Sequence, residues 1–345
     1  MRRQIRFIAA AAVAALALSG CSISASPSTD ATGTDGAGGT VTILTHDSFQ
    51  ITAEQKADFE TKSGYKLVTT APGDAGFVVN QLLLGKDAPT VDGVFGIDNF
   101  SATTITDADV LSEYQSAALP ESAADYAMGK TLTPIDHGQV CINIDRDWFA
   151  ENGVAEPTSL DQLAEPEYAK LLVITDPSTS SPGLAFLAGV VSKYGDDWQS
   201  YVSKLLDGGT RVAAGWSDAY YSDFSGSEGK GDYPLVLSYA SSPAAEGGKT
   251  GNLEASCVDQ IEYAGVVAGA KNPEGAQAFI DYLLSDEYQV TIPEQMYMYP
   301  VSDRVDLPED WAKHAQPSTT PIDVDPAQVA AERETWLNEF TKLSE

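Results

Sequence analysis

Strand-like and helix-like segments alternate along most of this 345-residue chain, and this alternation restricts the possible folds more than any other feature. The apolar, β-branched segments 40–46, 66–71 and 91–97 are separated by two helical patterns. The first has a capping box that begins at Thr52, and the second covers residues 77–84. Strands and helices in this order predict parallel strands joined by right-handed crossovers. The sequence therefore predicts an α/β fold.

Two long extended segments, 131–145 and 259–270, interrupt the alternation and carry no helix signal. A second α/β series between them includes the strand-like segments 170–177 and 233–240. We therefore expect two lobes, each a mostly parallel sheet flanked by helices, with the extended segments as hinge crossovers and a ligand cleft between the lobes. The predicted boundaries are 40–137 and 260–310 for lobe 1 and 138–259 for lobe 2, with a helical C-terminal segment, 311–345, assigned to neither lobe.

The first 20 residues have the pattern of a bacterial export signal rather than of a membrane-spanning helix. Three arginines precede a short apolar run, which ends in the letters LSGC at Cys21. This ending predicts a lipoprotein signal peptide over residues 1–20, with cleavage before Cys21 and a lipid on its thiol. An ordinary signal peptide with an incidental cysteine is the alternative. Residues 21–39 have almost nothing to bury and predict a flexible, lipidated stalk.

Charge and cysteine content restrict the partners and the compartment. No other segment is apolar over enough residues to span a bilayer, so we expect an exported monomer held at the outer face of the cell membrane only by its lipid. The formal charge of −30 argues against nucleic acid or an anionic lipid surface as a partner. In an oxidising compartment Cys141 and Cys257 predict a disulfide near the hinge, with two buried free thiols as the alternative.

The tripeptide Ser-Ser-Pro follows a strand-like segment twice, at residues 180–182 and 241–243. Proline favours the first position of a helix and serine favours the cap before it, so both sites predict a helix start. Free backbone N–H groups at a helix start, together with serine hydroxyls, can hold an anion such as phosphate. The alternative is that each serine only caps its own helix.

Aromatic side chains and an Asp-Asn pair are concentrated near the predicted carboxyl ends of the strands. Trp216 and Tyr220 lie four residues apart, which predicts that they share a helix face. Asp98 and Asn99 offer an acceptor and an amide that suit an aminopyrimidine edge. Because aromatic faces attract cations and sandwich flat rings, these residues and the two Ser-Ser-Pro sites predict a flat cationic ligand with a phosphate tail. Alternatively, the aromatic pair belongs to the core.

In order and spacing, the chain resembles the thiamine-binding components of bacterial ABC importers, as seen in the segments DSF, GIDN, TDPSTSSPGL, GWSDAY, LVLSYASSP, MYPV and AAERETWLNEF. The resemblance extends over nearly all of the chain beyond the stalk. It implies a two-lobed type II periplasmic-binding-protein fold that closes on thiamine or a thiamine phosphate. It also implies a permease and ATPase complex as the membrane partner, no cofactor and no enzymatic activity.

The resemblance further implies a binding site at the strand ends of both lobes. Asp98 and Asn99 would contact the pyrimidine, and Trp216 would lie against the ring system. Ser180 and Ser181 would hold the hydroxyethyl or phosphate end. The ligand-binding residues predicted in this way are His46, Asp98, Asn99, Ser180, Ser181, Trp216, Tyr220, Tyr239, Ala240, Ser241, Ser242 and Tyr297.

Two other functions are alternatives from the residues alone. The adjacent Tyr220 and Tyr221 resemble the ligand pair of ferric-ion-binding proteins of similar fold, since iron prefers hard oxygen ligands. A serine hydrolase or phosphatase would use Ser181 or Ser242 with His46 or His137. The sequence contains no Gly-x-Ser-x-Gly elbow and no zinc-binding spacing, which argues against the enzyme.

Overall fold

The computed structural model describes residues 38–345, so the predicted signal peptide, the lipidation site at Cys21 and nearly all of the predicted stalk lie outside the described residues. The strands are β1 (Thr40–Leu44), β2 (Lys66–Thr70), β3 (Gly93–Asp98), β4 (Leu111–Ser112), β5 (Thr133–Asp145), β6 (Leu172–Thr175), β7 (Arg211–Ala213), β8 (Leu235–Tyr239), β9 (Thr250–Val267) and β10 (Tyr299–Pro300).

The helices lie between these strands and after the last of them. They are α1 (Ala53–Ser63), α2 (Ala75–Leu84), α3 (Ala102–Asp107), α4 (Arg146–Asn152), α5 (Leu160–Leu163), α6 (Pro166–Ala169), α7 (Ser181–Tyr194), α8 (Trp198–Asp207), α9 (Ser242–Ala245), α10 (Pro273–Leu283), α11 (Asp286–Gln289), α12 (Ile292–Met296), α13 (Glu309–His314) and α14 (Pro326–Ser344). Two short 3₁₀ segments, Glu121–Tyr126 and Gly195–Asp197, and a π-helical turn, Asp218–Asp223, are also present. Within residues 38–345, no helix is both apolar enough and long enough to cross a bilayer.

The strands form one mixed sheet in the order β2-β1-β3-β9-β5-β8-β6-β7, with β4 paired to β9 and β10 paired to β5. At one end β2, β1 and β3 are parallel, and at the other end β8, β6 and β7 are parallel. Between these two parallel sets, β5 and β9 run antiparallel to each other and to their outer neighbours. The α/β fold class with two parallel sets is confirmed. The two sets are continuous through β5 and β9 instead of forming separate sheets.

The two predicted crossover segments are the two longest strands. β5 ends at Asp145 as predicted, whereas β9 begins at Thr250 rather than at residue 259. The early part of β9 includes Gly251 and the exposed Glu254. Glycine and glutamate are uncommon in strands, so this part of the sequence lacks the apolar pattern typical of a strand. Cys141 on β5 and Cys257 on β9 are joined by a disulfide. The lobe boundaries themselves stay a prediction.

Local sequence signals explain where several helices begin. Thr52 and Gln55 form the capping box at α1, with the Gln55 N–H donating to Thr52 Oγ1 at 3.1 Å. Asp325 caps α14 by accepting the Ala327 N–H at 2.9 Å, and Pro326 is its first residue. The helix start at Thr52 was predicted and is confirmed, and α14 is the helix of the predicted C-terminal segment. α14 packs on α7 and α8, beside the β8-β6-β7 set.

Both faces of the sheet are covered, and β3 shows how. Phe95 packs into the core under α1 and α10, whereas Val94 and Ile97 pack into the core under α2. Side chains along a strand alternate between faces, yet Val94 and Ile97 share a face because a bulge at Gly96 shifts the register between Phe95 and Ile97. This bulge also shapes the ligand cavity.

Candidate ligand-binding site

A cavity of about 330 Å³ lies at the carboxyl ends of the strands from both parallel sets. Its wall comes from the loop after β1, the first residues of α2 and α7, the segment after β7, the end of β8, the middle of β9, and α12. The lining residues are His46, Asp47, Ser48, Gln50, Ile51, Thr52, Asp74, Ser181, Trp216, Ser217, Tyr221, Tyr239, Glu262, Glu294, Gln295, Met296 and Tyr297. Strand ends of an α/β sheet are where such folds bind ligands.

His46 occupies the wall directly after β1, and a glycine makes room for it. Gly96 has a φ of 96°, in the left-handed region, and a Cβ at this position would overlap the His46 ring. His46 Nε2 lies 3.7 Å from a carboxylate oxygen of Glu262 on β9. The bulge in β3 therefore brings an imidazole and a carboxylate together at the cavity.

Buried acids surround this imidazole. Burial lowers the pKa of His46, but the charges of Glu262 and Asp74 outweigh burial, and the pKa stands above its ordinary value. Burial raises the pKa of Asp74, and burial followed by the charge of Glu262 raises the pKa of Asp136 well above its usual range. Because burial and a neighbouring like charge both disfavour the ionised form, Asp136 favours its neutral form beside Glu262.

Acids dominate the charge of the cavity wall, and among its described lining residues His46 is the one titratable base. The described lining residues include the acids Asp47, Asp74, Glu262 and Glu294 and no lysine or arginine. Acids that line a partly closed cavity produce a field that concentrates cations and repels anions. The cavity therefore suits a cationic ligand.

Trp216 is the centre of an aromatic cluster beside the acids. Its ring stacks on Tyr220 at a centroid distance of 5.1 Å and an interplanar angle of 13°. Tyr221 and Tyr297 meet it at steep angles, at 5.3 and 5.4 Å. The indole N–H donates to Ser238 Oγ at 2.8 Å. These contacts fix the indole, and fixed aromatic faces can hold a flat ring or a cation.

Residues from the two parallel sets meet across the cavity. Asp74 caps α2, with one oxygen accepting the Ala75 N–H at 2.6 Å and the other accepting the Trp216 N–H at 2.9 Å. The hydroxyls of Ser48 and Ser217 lie 3.0 Å apart. These two contacts connect the segment after β7 to the β2-β1-β3 set, and all four residues line the cavity.

Comparison with known proteins identifies the family of this fold and cavity. Residues 94–321 match the family model described as bacterial extracellular solute-binding protein. The thiamine-binding periplasmic protein of Escherichia coli (strain K12) is 30% identical over 313 residues, which cover 88% of this chain and 92% of the relative. The chain belongs to the bacterial extracellular solute-binding protein family.

Other relatives agree with this assignment. The thiamine-binding periplasmic protein of Haemophilus influenzae is 28% identical, over 88% of this solute-binding protein and 92% of the relative. A solved periplasmic thiamin binding protein superimposes with a TM-score of 0.77 and 29% identity, over 89% of this chain and 96% of that one. The ferric binding protein of Campylobacter jejuni has a TM-score of 0.68 at 17% identity, over 88% of this chain and 99% of that one, which shows a shared fold alone.

The solute-binding protein has five of the twelve predicted ligand-binding residues in its cavity wall, and the other seven pack behind it. The five are His46, Ser181, Trp216, Tyr239 and Tyr297. The seven are Asp98, Asn99, Ser180, Tyr220, Ala240, Ser241 and Ser242.

The first Ser-Ser-Pro site begins α7, but its serines do not cap the helix in the predicted way. α7 starts one residue earlier, at Ser181, and Ser180 makes no side-chain capping bond. The Ser181 hydroxyl donates instead to Asp98, whose other oxygen accepts the Ser101 N–H at 2.7 Å. Burial raises the pKa of Asp98. Asp98 therefore holds the start of α7 from behind the cavity. Asn99 similarly accepts the Ile261 N–H at 3.0 Å.

The second Ser-Ser-Pro site is also satisfied within the protein. The Ser241 hydroxyl donates to the carbonyl of Tyr297, and Ser242 Oγ lies 2.9 Å from Ser238 Oγ. α9, which begins at Ser242, is four residues long and is not capped by a serine side chain. The N–H of Ala240 donates to the Gln139 carbonyl at 2.8 Å. These serines support the positions of Tyr297 and of the strand end.

The ferric and hydrolase alternatives find little support in these contacts. The Tyr220 hydroxyl donates to Glu246 at 3.0 Å, and only its neighbour Tyr221 lines the cavity. In the described part of the chain no group of three or more His, Cys, Asp or Glu is arranged to hold a metal ion. Ser181 is bonded to Asp98 rather than to a histidine. His137 lies between the rings of Tyr126 and Tyr299, away from both candidate serines.

Sequence reasoning missed the acids of the cavity. Asp74 looks like an ordinary helix cap, and Glu262 falls in a segment predicted only as a crossover. Both acids are buried, which charged residues seldom are without a structural or functional reason. In the sequence, a charged residue inside a long apolar strand, as at Glu262, could have indicated such a buried acid. The segment DSF was among those that carry the family resemblance, and its Asp47 lines the cavity.

Proposed function

We propose that this solute-binding protein captures thiamine, with aromatic side chains against its flat rings and carboxylates near its positive charge. Thiamine consists of an aminopyrimidine and a permanently cationic thiazolium ring. The observation that carries the proposal is the cavity wall, which combines Trp216, Tyr221, Tyr239 and Tyr297 with four acids and, among the described lining residues, no lysine or arginine. The names of the relatives, thiamine-binding periplasmic proteins, support the same ligand.

The size and rigidity of the site suit such a molecule. A volume of about 330 Å³ falls at the lower end of the range for small-molecule sites, about 300–1,000 Å³. The Trp216 ring is stacked on Tyr220 and meets Tyr221 and Tyr297 at steep angles, so little order has to be gained on binding. A cation over an indole face is stabilised by about 0.5–2 kcal/mol, and nearby Asp74 adds a direct charge interaction.

Calorimetric titration tests the ligand. We expect saturable binding of thiamine and much weaker binding of thiochrome, its uncharged tricyclic oxidation product, because the acids recognise the positive charge. Replacing Trp216 with Leu should weaken thiamine binding by about tenfold or more. Trp148→Leu, a tryptophan that does not line this cavity, is the matched control. Absence of saturable thiamine binding by folded protein would overturn the proposal.

We propose that the protein works outside the cytoplasm as a lipoprotein and delivers its ligand to an ABC importer with a permease and an ATPase. The sequence pattern at Cys21 supports the anchor, and the solute-binding family supports the importer. Fractionation of cells that express Cys21→Ser tests the anchor. The variant should leave the membrane fraction and bind thiamine as the unmodified protein does, because Cys21 lies in a segment that precedes the first strand. Variant protein that stays with the membrane would refute it.

We also propose that the protein binds its ligand without changing it. The serine hydroxyls that would act in a hydrolase donate to Asp98 or pair with Ser238, and neither is hydrogen-bonded to a histidine among the described residues. Incubation with thiamine monophosphate and diphosphate, followed by chromatography, should return both molecules intact. Release of inorganic phosphate at a rate that depends on protein concentration would contradict this.

A further inference from the structure

A second cavity, of about 220 Å³, has the opposite charge to the ligand cavity. Its wall includes Arg146 at the start of α4 and Lys313 and His314 at the end of α13, against a single acid, Glu254. The chain as a whole has 50 Asp and Glu residues against 20 Lys and Arg, so a wall with Arg146, Lys313 and a single acid departs from its surroundings. The start of β9, from Thr250, forms the remaining side.

Two glycines leave space for side chains of this wall. A Cβ at Gly251 would overlap the guanidinium of Arg146, so the planar group lies directly against the β9 backbone. Gly248 has a φ of 78°, and a Cβ there would overlap the His314 ring. Any other residue at these two positions would displace Arg146 or His314. The geometry of the basic wall therefore depends on the local sequence.

The basic groups have no acidic partner within the described residues. No carboxylate oxygen in residues 38–345 lies within 4.0 Å of a side-chain nitrogen of Arg146 or Lys313. Glu254 is exposed and is not among these pairs. An unpaired guanidinium keeps all its donors available for a ligand.

A buried hydroxyl in the same wall also lacks a partner. Thr250 is 2% exposed, and its Oγ1 has no hydrogen-bond partner. Buried polar groups are nearly always satisfied, so an orphaned hydroxyl indicates a ligand or a solvent molecule. Thr250 lines this cavity together with the basic residues, and it also lines a neighbouring cavity beside α4.

We propose that this cavity is a second binding site, for a small oxyanion of the phosphate class such as inorganic phosphate or a phosphomonoester. The Arg146 guanidinium offers a planar fork that matches two phosphate oxygens, and Lys313 supplies a point charge. Thr250 supplies a further donor from the β9 side. The site is separate from the ligand cavity, whose acids exclude an anion.

Titration with inorganic phosphate at constant ionic strength, in a buffer without other phosphates, tests the site. We expect saturable binding to the full chain and at least about a tenfold loss of affinity in Arg146→Gln and in Lys313→Gln, because each removes a charge-assisted contact. Lys130→Gln is the matched control, since Lys130 is exposed but does not line this cavity, and it should leave phosphate binding unchanged. Thiamine affinity should stay within about twofold in all variants.

A second variant separates geometry from charge. Gly251→Ala adds a methyl group that would displace the guanidinium without changing the charge of the protein, and it should weaken phosphate binding as well. Thermal melts confirm that each variant is folded. Glycerol 3-phosphate binding at similar affinity would assign the site to phosphomonoesters, and its failure to bind would assign it to inorganic phosphate. No saturable phosphate binding, or equal losses in Lys130→Gln, would overturn the proposal.

Discussion

The carboxylate of Asp74 accepts the backbone N–H of Trp216 at 2.9 Å across the ligand cavity. Asp74 caps α2 beside the β2-β1-β3 set, whereas Trp216 follows β7 at the opposite end of the sheet. Both residues line the cavity. A cation beside Asp74 favours its charged form, and a charged acceptor makes the stronger hydrogen bond. Ligand binding and the contact between the two sides of the cavity are therefore linked through one carboxylate.

Asp74→Asn should weaken thiamine binding by about tenfold or more. The amide keeps an acceptor for one of the two backbone N–H groups but removes the charge that attracts the thiazolium, and a hydrogen bond to a charged group contributes about 1.5–3 kcal/mol. Calorimetry measures the loss. The dissociation rate should rise as well, because the contact to Trp216 weakens at the same time.

Asp47→Asn is the matched control for charge. Asp47 also lines the cavity, but it is exposed, and the cross-cavity contact to the Trp216 N–H belongs to Asp74. Because solvent screens an exposed carboxylate, this variant should lose less than about threefold. Equal losses for the two variants would mean that only the net charge of the cavity matters, and the linkage through Asp74 would be refuted.

Thiamine affinity should rise as the pH rises above about 6.5. Burial lowers the pKa of His46, but Glu262, Asp74 and Asp47 together hold it above its ordinary value of about 6.5. As the pH rises through this raised pKa, the imidazolium loses its proton and no longer repels a cationic ligand. Loss of protons from Asp74 and Asp136, whose pKa values are also raised, acts in the same direction.

His46→Gln separates these contributions. The variant should bind thiamine with a flatter pH dependence, and the slope that remains belongs to the acids. Stability has the opposite trend, because a raised pKa of His46 stabilises the fold below about pH 6.5 and this stabilisation is lost as the pH rises through the folded-state pKa. An unchanged pH slope in the variant would exclude His46 as the titrating group.

The parts of the fold that were predictable from sequence depend on local signals. The capping box at Thr52 and the Asp325 cap are contacts between near neighbours, and the residue types that make them are few. The alternation of strands and helices likewise follows from short-range patterns. The start of β9 at Thr250 was missed because pairing with β5, and not the local pattern, makes that segment a strand.

The ligand cavity was predicted less completely because tertiary contacts decide which side chains face it. Trp216 and Tyr297 were found from residue type, but Tyr220, four residues from Trp216, packs behind the indole. The ligand contact of Asp98 stays a prediction, and its carboxylate accepts the hydroxyl of Ser181, 83 positions away in the chain. No local pattern distinguishes a carboxylate that faces a ligand from one that holds a helix start.

Replacing both cysteines of the disulfide with alanine, Cys141→Ala and Cys257→Ala, should lower the free energy of unfolding by about 4–5 kcal/mol. The two residues are 116 positions apart, and a loop of this length has a large closure entropy in the chain-entropy account. Urea unfolding measures the change. Unmodified protein with a reductant should approach the variant, whereas equal stability with and without the reductant would contradict the prediction.

Thiamine should bind more tightly than its monophosphate, and the monophosphate more tightly than the diphosphate. Each phosphate adds negative charge to a cavity whose described wall has four acids and no lysine or arginine. The start of α7, which could hold an anion, already has the carboxylate of Asp98 on the Ser181 hydroxyl. We expect a loss of at least about fivefold per phosphate, which is ~1 kcal/mol for partly screened charges. Titrations at one ionic strength measure the order, and the differences should shrink at high salt.

Ser241→Ala tests the same question at the second Ser-Ser-Pro site. Its hydroxyl donates to the carbonyl of Tyr297, so its removal should loosen the cavity wall and weaken all three forms of thiamine by similar factors. If this serine held the phosphate, the monophosphate and diphosphate would lose more than thiamine. Such a selective loss would place the phosphate of the ligand at the second Ser-Ser-Pro site. A monophosphate that binds more tightly than thiamine to the unmodified protein would do the same, and either result would overturn the predicted order.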